Sequence, residues 1–372
     1  MRVLHVTDTF LPKIGGAEIA IDQLVRAMGK LGVECAVLAQ LNRGVTGKVE
    51  TPYPLRRFRN PQSSRWAGWW IGRHIARMER ELGEFDVLIG HHAFPPGYAC
   101  VKHGRRTGRP AIIYPRGGDI YEVSRFRKKP QAWRKLTWAL ASAAEVVCAS
   151  EAMEGIVREI IGVSAAEGRL TRIPNGVNIE ELSEDAAASV FASDARFRGP
   201  FMLGLGRTIR RKGFHLLIDA FGRLDAPDWK LVIAGEGREL ETLKSQAAVL
   251  GGRVIFTGLV EGADKRWLLQ NCRFMAAPSL EESFGNVALE SMACGKPVVA
   301  SRASGFAEIV RDWENGRLVE VGDVAGLEAA LVDFVARDLA IEGEAARRTA
   351  EAFSWQSIAR RYIELIEKVQ KL

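Results

Sequence analysis

The sequence predicts an α/β protein made of two doubly wound domains, each built on a parallel sheet. Short apolar runs alternate with helical patterns over the first half of the chain, and a second series of the same kind begins near residue 202. Such alternation is typical of βαβ units and a parallel sheet. The 372 residues are too many for one ordinary core but suit two domains. Because ligands bind outside the carboxyl ends of strands in such sheets, we expect the two domains to face a central cleft.

The first domain is predicted at residues 1–180. A buried strand at 3–7 is followed by a loop and then by a helix at 17–31, whose apolar residues recur at helical spacing. Further short apolar runs predict strands at 35–39, 87–90, 111–114 and 146–149.

The second domain is predicted at residues 201–352. A polar stretch rich in Ala and Ser, 181–200, is interpreted as the link between the domains. Apolar positions at helical spacing predict a final amphipathic helix within 353–372. The strands of this domain are predicted at 202–206, 230–234, 254–257, 274–277 and 298–300.

Composition limits the class of protein. Charged residues make up 26% of the chain and hydrophobic residues 47%, as in a soluble globular protein. No apolar stretch is as long as a membrane span, and the apolar run at 3–6 is too short for a signal peptide. The five cysteines are scattered without a Cys-x-x-Cys pair, which argues against a disulfide framework and a zinc site. We therefore expect a cytoplasmic protein.

Positive charge is concentrated in the first half of the chain. Residues 1–180 hold 27 Lys and Arg against 17 Asp and Glu, a net charge of +10, whereas residues 181–372 carry −3. Tryptophans are mixed with Arg and Lys at 65–80 and 125–138. This mixture is typical of helices at an anionic membrane surface, here the inner face of the membrane, and equally of a packed domain surface. Stacking on nucleic acid bases is a less favoured interpretation, and no nucleic acid partner is expected.

Several familiar motifs are excluded. Ile209 and Leu240 stand where the third glycine of a dinucleotide fingerprint belongs, and Pro297 stands where a P-loop needs Ser or Thr. The chain has no Asp-x-Asp pair and no His-Glu-x-x-His. We therefore expect no metal site and no bound cofactor.

Residues 279–295 predict a strand end, a loop and a helix that together carry two glutamates. Glu282 falls in the loop and Glu290 in the helix, about 12 Å apart at 1.5 Å per residue. Carboxylates so far apart cannot share one proton or one metal, but they could hold opposite ends of one long polar ligand. The alternative for Glu282 is a capping box with Ser279, which leaves Glu290 unexplained.

Two groups near this stretch suit a phosphate. The N–H groups of Gly285, Asn286 and Val287, near the start of the helix, would face a phosphate that lies between the two glutamates. Arg207 and Lys212, in a loop bounded by glycines after a predicted strand, can converge on a diphosphate. A solvated basic loop is the alternative for this second group.

Three segments of the first domain also follow predicted strands. Gly15 and Gly16 lie between the first strand and its helix, a usual place for close approach of backbone to ligand, or for a simple tight turn. Arg116 and Asp119 follow a later strand and are expected to point into the cleft, with a surface turn as the alternative. His92 ends another strand, where an ordinary hydrogen-bonded histidine is the alternative.

Together these segments resemble the glycosyltransferases of family 4, which have the GT-B fold of two facing Rossmann-like domains. The resemblance covers nearly the whole chain. It also includes Ile-Pro-Asn-Gly-Val-Asn at 173–178 and Ala-Cys-Gly-Lys-Pro-Val-Val at 293–299. It implies an acceptor-binding first domain, a nucleotide-sugar-binding second domain and a final helix that returns to the first domain.

The resemblance also implies roles for single residues. Glu282 would hold hydroxyls of the donor sugar, Glu290 would hold the ribose, and Arg207 and Lys212 would bind the diphosphate. Glu282, Arg207 and Lys212 are therefore the catalytic candidates. The remaining donor-site candidates are Gly16, Gly285, Asn286 and Val287. The candidates on the acceptor side or in the cleft are Gly15, His92, Arg116 and Asp119.

The implied reaction moves a hexose from a UDP- or GDP-sugar to a cell-envelope glycan or lipid-linked acceptor, with retention of configuration and without a metal. In front-face attack the leaving phosphate takes the acceptor proton, so no protein base is required. Alternatives on the same fold are a nucleotide-sugar epimerase or hydrolase and a non-catalytic nucleotide-sugar-binding protein. One departure is Arg116, because many members have a histidine three residues before an aspartate where this chain has Arg116 before Asp119. The role of that histidine does not transfer, and an anionic acceptor or donor is the alternative partner of Arg116.

Overall fold

The computed structural model of the protein describes residues 1–12, 15–41, 49–59, 66–121, 124–303 and 305–371. The chain divides into two units, Met1–Gly176 with Trp355–Leu372, and Val177–Ser354. Each unit has its own parallel sheet, so the predicted pair of doubly wound, Rossmann-like domains is confirmed.

The first unit has a parallel sheet of seven strands within the described ranges. They are β1 (Arg2–Thr7), β2 (Glu34–Gln40), β3 (Leu55–Phe58), β4 (Val87–His91), β5 (Ala111–Tyr114), β6 (Glu145–Cys148) and β7 (Leu170–Arg172). Their order is β3-β2-β1-β4-β5-β6-β7. Thr7 pairs with Ala39 of β2 on one side and with His91 of β4 on the other. The order therefore reverses at β1 and β4, where the carboxyl ends of an open sheet leave room for a ligand.

Helices connect these parallel strands. They are α1 (Gly16–Lys30), α2 (Ala67–Leu82), α3 (Tyr98–Thr107), α4 (Pro130–Ser142), α5 (Glu151–Ile161) and α6 (Val163–Ala166). In α1 the apolar side chains Ile21, Leu24 and Met28 are at most 1% exposed. Their spacing places them on one helix face, which explains why this segment was predictable from its sequence.

The second unit repeats the arrangement with six strands in the part of the chain that the structure describes. They are β8 (Phe201–Leu205), β9 (Lys230–Ala234), β10 (Val254–Gly258), β11 (Phe274–Ala277), β12 (Val298–Ser301) and β13 (Gly316–Val319). Their order is β10-β9-β8-β11-β12-β13, so the reversal lies between β8 and β11. Met202 of β8, Leu231 of β9 and Phe274 of β11 are fully buried in the core of this unit.

The helices of the second unit precede a last helix that belongs to the first. They are α7 (Ile179–Ser183), α8 (Phe214–Gly222), α9 (Leu240–Ala247), α10 (Gly262–Asn271), α11 (Asn286–Ala293), α12 (Val324–Ala336), α13 (Ala340–Ala352) and then α14 (Trp355–Gln370). The last helix, α14, contacts α1. Lys368 of α14 also lies 3.1 Å from the buried carboxylate of Glu145 in the first unit. The helix thus returns to the first unit, as the sequence resemblance implies.

Residues 181–200, predicted as a link, are instead part of the second unit. Phe191 and Phe197 are buried and pack against Trp267, whose ring in turn stacks on Phe201 at 6.1 Å. These two phenylalanines attach the segment to β8 and α10. The Ala- and Ser-rich composition around them obscured this contact in the sequence.

No helix within the described ranges is both long enough and apolar enough to cross a membrane.

Candidate functional site

The loops after β8 and β11 are fastened together at the reversal point of the second sheet. Gly213 has a φ of +70°, and a Cβ there would lie 1.9 Å from the main-chain oxygen of Pro278. Only glycine allows so close an approach. The N–H of Leu280 also donates to the main-chain oxygen of Arg211 at 2.7 Å. The two predicted loops therefore form one continuous surface.

This contact brings Lys212 and Glu282 together. Lys212 Nζ lies 2.5 Å from Glu282 Oε2, and the two side chains are only 14% and 11% exposed. Glu282 Oε1 also accepts a hydrogen bond from the N–H of Ser283 at 3.2 Å. A charged pair so well shielded from solvent keeps more of its attraction than a surface pair.

The helix that carries Glu290 begins later than a capping box would require. It starts at Asn286, and Gly285 precedes it in the left-handed conformation with a φ of +97°. Glu282 therefore lies before the first turn, so a capping role for it in α11 is wrong. The N–H groups at the start of a helix have no acceptor within the helix and carry partial positive charge. The main chain at 285–287 is thus placed to receive an anion.

Glu290 lies one turn into α11, and only one of its two carboxylate oxygens has a hydrogen-bond partner in the described structure. Its Oε1 accepts from Lys265 Nζ at 2.7 Å. Its Oε2 is buried and has no hydrogen-bond partner in the described structure, and the same holds for Thr208 Oγ1 in the loop after β8. Buried polar atoms are rarely left unpaired in native proteins. These two oxygens therefore mark places where groups of a ligand could bind.

Arg207 lies at the carboxyl end of β8, directly after Gly206, whose φ is +145°. Its side chain is exposed. Among the described residues it forms no ion pair, unlike Lys212, so its guanidinium remains open to a ligand phosphate.

The first unit carries a chain of buried imidazoles between β1 and β4. His5 Nδ1 lies 3.0 Å from His91 Nε2, and their rings stack at 5.3 Å. Arg116 Nη2 lies 2.7 Å from His91 Nδ1. Because arginine can only donate, His91 Nδ1 is the acceptor, and its Nε2–H then donates to His5. Both imidazoles are therefore neutral.

The pKa values agree with this assignment. Burial, and then the charge of Arg116, lowers the pKa of His5 to about 3. Burial and the same arginine hold the pKa of His91 well below its usual value. The two histidines thus stay neutral at physiological pH.

Arg116 is held among uncharged groups. Its guanidinium lies 3.9 Å from the centre of the Tyr114 ring, and its Nη1 donates to Asn175 Oδ1 at 3.2 Å. The hydroxyl of Tyr114 donates to the same oxygen at 3.0 Å. Arg116 Nε is buried without a hydrogen-bond partner. Over the residues that the structure describes, no carboxylate pairs with this guanidinium.

The nearby carboxylates are committed to other groups. His92 Nδ1 lies 2.8 Å from Asp8 Oδ1. Asp119 accepts from the main-chain N–H groups of Arg116 at 3.0 Å and of Ala93 at 2.5 Å. Burial would lower the pKa of His92, but the charges of Asp8 and Asp119 outweigh it and raise the pKa to about 9. His92 is therefore a cation, and Asp119 fixes the loop that carries Arg116.

Gly15 and Gly16 stand at the start of α1. Gly16 is the first helical residue, and Gly15 is extended, with a φ of −172° that any residue adopts. A Cβ at Gly15 would lie 2.5 Å from Glu18 Oε2. A larger residue here would only have to displace the end of the flexible Glu18 side chain, so neither the backbone conformation nor this contact requires glycine at position 15. Residues 13–14 of this loop lie outside the described residues.

A cavity of about 640 Å³ lies elsewhere in the first unit, at the amino ends of β1 and β2. Its lining includes Arg2, Val33, Tyr53 and Phe85 but none of the candidate site residues. In the described ranges no group of three or more His, Cys, Asp or Glu is placed to hold a metal ion.

Several residues of these two sites were not predicted from the sequence. His5 stands within the first apolar strand. A polar residue in a buried run is the one feature of the sequence that could have marked it as a functional residue. Lys265 meets Glu290 only because α10 packs beside α11, and nothing in the sequence of either helix indicates that pairing. Thr208 gave no signal apart from its place beside Arg207.

Two family models match successive parts of the chain. The model described as Glycosyltransferase Family 4 matches residues 14–181. The model described as Glycosyl transferases group 1 matches residues 189–361.

Two relatives are similar over nearly their full length. Lipopolysaccharide core biosynthesis glycosyltransferase LpsE of Rhizobium meliloti is 30% identical, over 98% of this chain and 99% of that protein. The GDP-mannose-dependent alpha-(1-6)-phosphatidylinositol monomannoside mannosyltransferase of Mycolicibacterium smegmatis is 31% identical, over 98% of each chain.

A solved structure has the same fold. Anabaena Alr3699/HepE in complex with UDP matches with a TM-score of 0.79 and 22% identity, over 99% of this chain and 100% of that chain. Its complex with UDP-glucose matches with a TM-score of 0.78 and 21% identity, over the same shares of the two chains.

Proposed function

We propose a donor, a reaction and an acceptor for this chain, which belongs to glycosyltransferase family 4 and is a glycosyltransferase of the GT-B type. The donor is a UDP- or GDP-hexose bound by the second unit. The hexose is transferred with retention of configuration and without a metal ion. The acceptor is a glycan or lipid-linked saccharide of the cell envelope.

The observation that carries the proposal is the Lys212–Glu282 pair beside the start of α11. It places a cation, a carboxylate and helix-start N–H groups within one loop surface at the reversal point of the second sheet. A nucleotide sugar needs these groups, because it presents a diphosphate flanked by hydroxyl-bearing rings. Glu282 would accept from hydroxyls of the sugar, and Glu290 Oε2, buried and unpaired, would accept from the ribose.

Loss of the nucleoside diphosphate is the step that these charges would assist. As the bond between the sugar carbon C1 and the phosphate oxygen breaks, negative charge grows on the diphosphate. Arg207, Lys212 and the start of α11 would stabilise that charge, which is the task a metal ion performs in other transferases. The acceptor oxygen then bonds to C1 on the same face, and its proton passes to the departing phosphate oxygen.

Two nucleotides, UDP and GDP, are candidates for the donor. The printed names of the relatives give GDP-mannose for the mycobacterial mannosyltransferase, and the Anabaena protein binds UDP and UDP-glucose. Both nucleotides share the ribose and the diphosphate. Glu290, Arg207, Lys212 and the start of α11 would contact only those shared parts, and Glu282 would contact the hexose. None of these groups would contact the base, so they are compatible with either nucleotide.

A peripheral position at the inner face of the membrane is proposed from one surface of the first unit. Trp66 and Trp69 at the start of α2 are 56% and 49% exposed. Arg73 lies over the Trp69 ring at 5.0 Å and is itself exposed. Arg65, part of the same predicted segment, lies outside the described residues. Exposed tryptophans beside arginines are typical of a helix at an anionic lipid surface.

A donor screen tests the reaction. The purified chain is incubated with UDP- and GDP-hexoses and envelope acceptors, with and without EDTA, and the released nucleoside diphosphate and the anomeric form of the product are measured. We expect release with one donor, a product of unchanged configuration and no effect of EDTA. Lys212→Met should lower turnover, whereas Arg210→Gln, an exposed residue of the same loop, should not. A folded chain that releases nucleotide with no donor, or that inverts configuration, contradicts the proposal.

Sedimentation with lipid vesicles tests the membrane position. At low salt we expect binding to vesicles with phosphatidylglycerol and little binding to pure phosphatidylcholine, because the attraction is electrostatic. Trp66→Ser with Trp69→Ser should reduce binding. Trp313→Ser, a 55% exposed tryptophan of the second unit, is the matched control. Equal sedimentation of all three proteins would show that this surface does not contact lipid.

A further inference from the structure

We propose that Arg116 binds an anionic group of the acceptor, a phosphate or a carboxylate. The inference rests on the proposed function and specifies its acceptor class. It concerns only side chains of the first unit.

Arg116 lacks a counter-charge among the described residues. Arg116 is half-buried, and its contacts are the neutral His91, the amide oxygen of Asn175 and the ring of Tyr114. A guanidinium taken partly out of water is stabilised best by an anion that it can bind through two parallel N–H groups. None of the described carboxylates supplies that anion.

The acids near Arg116 already interact with other groups. Asp8 faces the His92 cation at 2.8 Å, and Asp119 accepts two main-chain N–H groups. Both acids also hold the charge on His92, whose pKa they raise to about 9. Neither is therefore placed to move across and neutralise the Arg116 guanidinium without breaking its own contacts.

The guanidinium of Arg116 is held in a fixed position. The hydrogen bonds from Arg116 to His91 and from His91 to His5 fix the guanidinium. A neutral imidazole accepts at one ring nitrogen and donates at the other, so these hydrogen bonds can run in only one direction. The face of the guanidinium is fixed by Tyr114 at 3.9 Å. A fixed donor loses little conformational freedom when it binds, which is how binding groups are usually held.

Two donors near the Tyr114 ring are unused within the described ranges. Arg116 Nε and the hydroxyl of Tyr362 are both buried and have no partner in the described structure. The Tyr362 ring lies 6.3 Å from the Tyr114 ring, on which Arg116 stacks. Burial raises the pKa of Tyr362 well above its usual value, so its hydroxyl keeps its proton. A site that offers N–H and O–H groups with one unpaired positive charge suits an anion better than a neutral sugar.

Calorimetric titration of the full-length chain tests the inference. UDP and GDP are both kept at saturating concentration, so that the donor diphosphate site is blocked. The probes are glucose 6-phosphate, glucuronate and, as the neutral control, glucose. The proteins are the wild type, Arg116→Gln, Arg116→Lys and Arg80→Gln, which removes an exposed arginine of α2. The melting temperature of each variant verifies its fold.

We expect one of the two anionic probes to bind the wild type more tightly than glucose, and the preferred probe identifies phosphate or carboxylate. Arg116→Gln should weaken that binding about tenfold or more, the usual effect of losing a charged hydrogen bond. Arg80→Gln should leave it unchanged. Arg116→Lys keeps the charge but not the planar fork and should weaken binding several-fold, so it carries the test if the glutamine variant does not fold.

Two results would overturn the inference: equal binding of the anions by wild type and Arg116→Gln, or no binding of either anion above glucose. These failures are distinct from failure of the proposed function. The latter appears as absent nucleotide release in the donor screen, whereas the titration requires no turnover. If the enzyme transfers sugar normally but binds the anions independently of Arg116, the proposed function is retained and the inference about Arg116 is wrong.

Discussion

The carboxyl edges of the two sheets share a strand order but differ in how their charges are arranged. In the second unit, between β8 and β11, each glutamate already holds a lysine: Lys212 with Glu282 and Lys265 with Glu290. In the first unit, between β1 and β4, two neutral histidines lead to an arginine without a carboxylate partner. Among the described residues, in the second unit both glutamates are paired and the unpaired cation, Arg207, is exposed, whereas in the first unit the unpaired cation, Arg116, is half-buried.

The strand order determines where a ligand can bind, whereas the loops determine which ligand can bind there. A paired lysine and glutamate can each release the other and bind a ligand instead, the lysine binding phosphates and the glutamate binding hydroxyls. A nucleotide sugar carries both kinds of group. A fixed arginine among neutral groups offers only donors and suits an anion. The same topology therefore supports two different binding chemistries.

The largest expected effect is at Glu282. We predict that Glu282→Ala lowers turnover about 10²- to 10³-fold, because a group that touches the reacting sugar contributes mainly in the transition state. The free energy of unfolding should fall by about 3 kcal/mol, because the Lys212 ammonium, only 14% exposed, loses its carboxylate partner, although no helix cap is lost. Nucleotide release and the denaturant midpoint are measured together. Glu281→Ala, at the exposed neighbouring position, is the control and should leave both unchanged.

Glu290 should show a smaller and more selective effect. If its unpaired oxygen accepts from the ribose, the wild type will bind a nucleoside diphosphate about tenfold more tightly than the 2′,3′-dideoxy analogue. Glu290→Ala should bind the two with equal affinity, as measured by titration. A variant that kept the full preference for the ribose hydroxyls would show that Glu290 serves only to hold Lys265.

A third prediction concerns the stability of the first unit. The pKa of His92 is raised from 6.5 to about 9 by Asp8 and Asp119 against the effect of burial. Folding therefore favours the protonated form of His92. Its contribution to the free energy of unfolding is complete below pH 6.5 and is lost as the pH rises to about 9. The loss amounts to about 3 kcal/mol at most.

Chemical unfolding at several pH values checks this prediction. Between pH 6.5 and 9 the free energy of unfolding should fall more steeply for the wild type than for His92→Gln. His215→Gln in the second unit is the control, because burial lowers the pKa of His215, so folding does not favour its protonated form. Identical slopes for wild type and His92→Gln would show that His92 is not a cation in the folded protein.

The sequence was sufficient for the central strands but not for the edges of the sheets. Parallel strands buried on both faces are nearly continuous apolar runs, as at β1 and β11, and such runs are visible in a sequence. Three edge strands were missed: β3, β7 and β13. Their sequences, Leu-Arg-Arg-Phe, Leu-Thr-Arg and Gly-Arg-Leu-Val, contain too few apolar residues to show that pattern. Edge strands are short and partly polar because one side lacks a neighbour.

The candidate sites show the same limit. Glu282, Arg207 and Lys212 were named because they stand at strand ends in a recognisable order. Their neighbours could not be named, because Lys265 reaches Glu290 from a separate helix, and His5 reaches Arg116 only through His91. Such contacts depend on packing between elements distant in sequence, which local pattern does not record.

Hydrogen–deuterium exchange of the whole chain, with and without saturating UDP or GDP, tests most directly the claim that the second unit binds the donor. We expect slower exchange at 206–213 and at 282–290, where the N–H groups at the start of α11 would meet the diphosphate. Slower exchange confined to the first unit, with both of these segments unchanged, would contradict it.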